Sequence, residues 1–111
     1  MTSNTTVNEL TERLGATVHS MRCGEAKVIC GYTGDLLSRV MAHAKKGCAW
    51  VTIMNNVNVA AVAEFVGVSC VILAEDVQPD TELLEAAGKR GINLLSCKSD
   101  AFELCCLIEA V

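Results

Sequence analysis

Apolar positions are short and scattered up to residue 47 of this chain, then recur at nearly even intervals to its end. In the regular part, residues 48–53 have the length and content of a strand. Residues 57–66 form a helical stretch introduced by Asn55 and Asn56 and closed by Gly67, and residues 68–74 an unbroken apolar strand. A further helix is predicted over 80–90 with Gly91 as its stop, then a strand over 92–96. Ser99 is placed to cap a last helix. Strand and helix alternating through connections of a few residues imply right-handed βαβ units and parallel strands. The run Cys70-Val71-Ile72-Leu73 lacks alternation, as a central strand covered on both faces should.

The first part is less regular. Thr6-Val7-Asn8-Glu9 has the spacing of a capping box, opening a helix that ends at Leu14 before Gly15. Residues 16–21 and 26–30 are short strand candidates on either side of a turn. Residues 31–35 then read as a loop, with Thr33 or Asp35 placed to cap a helix through Ala44. Lys45, Lys46 and Gly47 close that helix in the order a C-terminus prefers. The expected architecture is α/β: a three-layer α/β/α sandwich with a short, mostly parallel, mixed sheet, forming a single domain over 1–111.

Composition narrows the function classes. Apolar residues make up 51% of the 111 residues and aromatics only 4%, so the core must be aliphatic. Nine Lys+Arg against thirteen Asp+Glu leave a net charge of -4. Such a balance argues against nucleic acid or an anionic membrane as partner, because no surplus of cations exists to neutralise phosphates. No run of about 20 apolar residues occurs and residues 1–12 are polar, so the expectation is a soluble cytoplasmic protein.

Seven cysteines are an odd number, most lie inside apolar runs, and no CxxC is present. They read as reduced packing residues, and no cofactor or metal is expected.

Candidate chemistry collects where parallel strands end, the edge at which open α/β sheets bind ligands. That edge gathers Thr33, Gly34 and Asp35 ahead of one helix, and Thr52, Met54, Asn55 and Asn56 ahead of the next. Glu75 and Asp76, then Ser96, Cys97 and Lys98, follow the later strands. Each also has an ordinary role as a helix cap or turn residue. If strand order brings the starts of the second and third helices together, their free amides would converge on a shallow pocket for a small polar or anionic ligand.

Enzymatic motifs are missing. No Gly-Lys-Ser or Gly-Lys-Thr is present for a P-loop, and the Gly31–Gly34 segment lacks the third glycine of a dinucleotide fingerprint. Nothing in the sequence points to a nucleophile activated by His19 or His43. The helix over 57–66 carries only Asn58 and Glu64 as polar residues, and the last helix only two glutamates. An outer helix should show a polar stripe. Either each is overlaid by another element, which a chain of this length can scarcely supply twice, or one packs on a second subunit; a homodimer is the expectation.

From Thr6 onward the chain resembles a stand-alone DRTGG domain, a family similar to the N-terminal domain of bacterial HPr serine kinase/phosphorylase. Carrying the resemblance are Val7-Asn8-Glu9-Leu10, the segment from Gly31 to Ser38, Cys48 to Ile53, Asn55-Asn56-Val57-Asn58, and Leu94-Leu95-Ser96 before Ala101-Phe102-Glu103. It implies a regulatory or ligand-sensing α/β module, often a dimeriser, and in stand-alone form encoded near iron hydrogenases. A hydrogenase-related enzyme is thus an implied protein partner. No Asp-Arg-Thr-Gly-Gly stands at either place where the naming motif would fall, near residues 54–58 or 73–76. Together these point to a non-catalytic, homodimeric regulatory domain. A redox-responsive or iron–sulfur accessory protein is the alternative.

Overall fold

The computed structural model describes residue 1 and residues 4–111. Five strands form one sheet in the order β1-β5-β4-β3-β2, with β2 (Cys30–Thr33), β3 (Cys48–Thr52), β4 (Cys70–Leu73) and β5 (Leu94–Ser96) parallel. β1 (Thr17–Ser20) is an antiparallel edge on β5, with a register irregularity between Val18 and Ser20. The four parallel strands follow one another across the sheet, so their right-handed crossovers put α2 (Leu37–His43), α3 (Asn58–Val66) and α4 (Thr81–Arg90) on one face. α1 (Val7–Leu14) and α5 (Ala101–Ala110) cover the other.

Two aliphatic cores result. One joins Val40, Val59 and Leu83 to Trp50, Val71, Leu73 and Leu94; the other joins Val7, Leu10, Leu104 and Ile108 to Val51, Ile72 and Leu95. Every residue of β3, β4 and β5 is buried, which is why their sequences show no alternation. The expected mixed, three-layer α/β architecture is the observed one.

Several local expectations are corrected. Strand β2 is Cys30–Thr33, not 26–30: Val28 donates to the Thr5 carbonyl and Ile29 to that of Gly47, leaving only a Thr6–Lys27 bridge upstream. The segment 31–33 is therefore strand rather than loop, because its register with Ala49, Trp50 and Val51 satisfies its backbone. Neither Thr33 nor Asp35 caps α2, whose N-cap is Leu36 without a side-chain bond. Asp100, not Ser99, caps α5, its carboxylate accepting from the Glu103 amide at 2.8 Å. The Thr6 cap of α1 and the left-handed glycines ending α1, α3 and α4 are where the sequence puts them.

Candidate functional site at the C-terminal edge of the sheet

The ends of β2 and β3 lie side by side, so the loops bearing Thr33–Asp35 and Thr52–Asn56 are neighbours as expected. What they build is a closed knot of hydrogen bonds. The Asp35 carboxylate accepts from Thr52 Oγ1 at 2.8 Å and from the Ile53 amide at 2.9 Å, and Thr52 Oγ1 accepts from the Met54 amide. Gly34 donates to the Val51 carbonyl, and its own carbonyl accepts from the buried Trp50 indole at 3.0 Å. Thr33 lines a hollow together with Cys105 of α5. Asn56 accepts from the Asn58 amide, and Asn55 ties the loop to the Gln78 carbonyl at 3.0 Å. Because α2 and α3 leave toward the same face, nothing separates the two loops. A crevice needs helices that diverge.

Divergence occurs between β4 and β5, where α4 goes to one face and α5 to the other. A cavity of about 350 Å³ opens there, lined by Leu14, Gly15, Thr17, Asp76 and the segment 96–99. Ser96 is only 4% exposed, and its hydroxyl pairs with His19 Nε2 at 2.8 Å. Burial pushes the His19 imidazole below its ordinary pKa, so the neutral ring is favoured. Glu75 and Asp76 both have φ of 59°, a left-handed conformation that costs a side-chain-bearing residue about 1–2 kcal/mol. Their amides repay part of it by donating to the Ser99 and Cys97 carbonyls, each at 2.9 Å. Strain of this kind at a strand end is a mark of functional sites.

Of the expected site residues, Ser96 thus lines this cleft, Glu75 stands next to its lining residue Asp76, and Thr33, Gly34, Asp35, Thr52, Asn55 and Asn56 form the neighbouring knot. His19 was not anticipated. It arrives on an antiparallel edge strand 77 positions from Ser96, and no local signal announces that pairing. The electrostatics are acidic. Asp35, Glu75, Asp76, Asp80, Glu82, Asp100 and Glu103 occupy these loops and first helical turns, against Arg39 and Lys98.

All seven cysteines are free thiols. Cys30 and Cys48 stand opposite each other in register across β2 and β3. Burial, then the neighbouring thiol, pushes Cys48 up to about 11; burial pushes Cys70 up to about 12. Among the described residues, no group of three or more His, Cys, Asp or Glu side chains is arranged to hold a metal ion. No helix among them is long and apolar enough to cross a membrane.

The family model described as "DRTGG domain" matches residues 9–111. A crystal structure of the CBS and DRTGG domains of the regulatory region of Clostridium perfringens pyrophosphatase, complexed with the activator diadenosine tetraphosphate, is similar in fold. The TM-score is 0.75 at 17% sequence identity. The match covers 97% of this chain and 50% of that one, so the chain spans about half the length of that regulatory region. No curated protein matches.

Proposed function

The chain belongs to the DRTGG domain family, and on that premise we propose that it is a non-catalytic regulatory domain, homodimeric and cytoplasmic, that senses a small polar ligand. The observation that carries this reading is the cleft between β4 and β5, where Ser96 and the left-handed Asp76 line a cavity next to the left-handed Glu75. Asp35, Thr52 and their neighbours, with the asparagines at 55 and 56, form the frame beside it. An anion would meet Lys98 there, but also Asp76, which favours a polar ligand with hydrogen-bond donors over an anionic one.

The likeness to the HPr kinase N-terminal domain fits this role, since that enzyme's P-loop has no counterpart in this sequence. A regulated protein partner, such as a hydrogenase-related enzyme, would read the ligand-bound state. The dimer face is the outer side of α5, where Phe102 is 80% exposed beside Cys106, Leu107 and Ala110. Thermal-shift screening of uncharged and zwitterionic metabolites against wild type and Ser96→Ala tests the ligand. Stabilisation of wild type that the variant loses supports the cleft, and no stabilisation by any compound removes it. Sedimentation of wild type and Phe102→Glu tests the dimer, with a monomer expected only for the variant.

The Cys30–Cys48 register favours a second reading, in which a disulfide oxidant converts the two thiols to a disulfide and is itself reduced to thiols. Mass analysis after treatment with oxidised glutathione should then show a loss of two hydrogens localised to that pair.

A further inference from the structure

At the opposite edge of the sheet, where the chain runs into β2, β3, β4 and β5, lies a groove of about 600 Å³. Ala26, Ile29 and Val68 give it an apolar floor, and Ile29 is 60% exposed within it. Its rim is cationic. Lys27 and Lys46 line it directly, and Arg22 lies over Gly91, where an added Cβ would come within 3.2 Å of the guanidinium. The stem of Lys46 likewise lies over Gly67. These two left-handed glycines end α4 and α3 and leave the cations room to cross the groove.

The obvious role for such cations is to offset the helix C-termini, and magnitudes show that this does not use them up. α2, α3 and α4 bring about half a negative charge each, roughly −1.5 in all. The ion pairs among the described residues are Lys89–Glu85 and Arg90–Glu64, so Arg22, Lys27, Lys45 and Lys46 are left outside ion pairs. Glu25, bonded to Asn8, takes back one unit. Around the groove itself these groups leave a surplus of roughly one to two positive charges, in a chain whose net charge is -4. The groove crosses four strands, a span on the order of 14 Å at ordinary strand spacing. Its volume falls within the range of small-molecule sites.

We propose that this groove binds a nucleoside di- or triphosphate, with the phosphates on Lys27 and Lys46 and the nucleoside along the apolar floor toward Arg22. The floor's amides are committed elsewhere: Gly47 donates to the Gly67 carbonyl, Ser69 to that of Cys48, and Ile29 to that of Gly47. Binding is therefore by side-chain charge rather than a backbone cradle. It needs no magnesium and weakens steeply with salt. The site is separate from the cleft beside Ser96, so either can fail without the other.

Calorimetric titration of the full chain with ATP in low salt tests the proposal. The expected result is saturable binding, weakened at least tenfold in Lys27→Gln/Lys46→Gln and unchanged in Ser96→Ala. Arg22→Gln provides an independent loss should the double variant unfold. Adenosine and tripolyphosphate should each bind at least tenfold more weakly than ATP. Cys23 is exposed and lines the groove, so its alkylation by iodoacetamide should slow several-fold with ATP in wild type only. Absence of binding at millimolar ATP, or binding that survives loss of the lysines, overturns the proposal. So does binding lost in Ser96→Ala, and tripolyphosphate binding as tightly as ATP overturns the nucleoside assignment.

Discussion

At the C-terminal edge of the sheet the loops are tied by several small side-chain contacts, Asp35 to Thr52 and Ile53 and His19 to Ser96, and the exposed charges are mostly carboxylates. At the N-terminal edge one residue does most of the tying, and the charges outside ion pairs are mostly cations. Asn93 is 5% exposed; its carboxamide oxygen accepts from the Arg22 and Cys23 amides, and its nitrogen donates to the Cys23 and Ser69 carbonyls. Distributed contacts lose stability piecemeal when mutated, whereas a single buried hub loses it at once. The opposed charges follow helix direction: carboxylates collect at helix N-termini and cations at C-termini, each offsetting the local dipole.

The largest effect should come from the hub. Asn93→Leu leaves two amides and two carbonyls without their partner, and should cost about 3–5 kcal/mol in urea denaturation. Asp35→Ala, at the opposite edge, gives up bonds in a more solvated place and should cost about 1–2 kcal/mol. Equal losses for the two would erase the distinction between hub and distributed edge. Glu75→Gly should act in the other direction, gaining up to about 1 kcal/mol as the left-handed strain is relieved and partly offset by unfolded-state entropy. A loss of stability there would mean that the φ of 59° carries no strain.

The smallest effect is one of pH. His19 has its pKa lowered by burial, so the unfolded chain binds its proton more tightly than the folded one does. Stability is thus complete above the unfolded value near 6.5 and falls as pH drops through it toward the lower folded value. His19→Gln should flatten that part of the profile in denaturation measured between pH 5 and 8. An unchanged slope would place the dependence on other groups.

Much of the fold was legible because β3, β4 and β5 are buried on both faces and α3 and α4 end at glycines. These are local signals, readable as an apolar run and a stop. Strand β2 was misplaced because it is an edge strand containing glycine, and its register is set by β3 rather than by its own alternation. The site was legible only in part. Strand ends gave Glu75 and Ser96, but which pair of ends opens into a cleft depends on the face each helix takes, and that follows from strand order. The Cys23–Asn93 and His19–Ser96 contacts join residues at least 70 positions apart, beyond the reach of any periodicity.

The antiparallel edge strand also orders events in time. β2 to β5 assemble from successive βαβ units, each pairing with the one made just before it. β1 comes earlier in the chain than all four, yet among the described residues it pairs only with β5, with Thr17 opposite Ser96. During synthesis at about 5–20 residues per second, β1 must wait several seconds for residues 94–96 to emerge. Its long loop closure makes it the last strand to dock on any route that builds the parallel strands first. The cleft beside Ser96 shares that schedule. Until β1 docks, His19 and Thr17 are not in place, and the same late step that completes the sheet completes the candidate site.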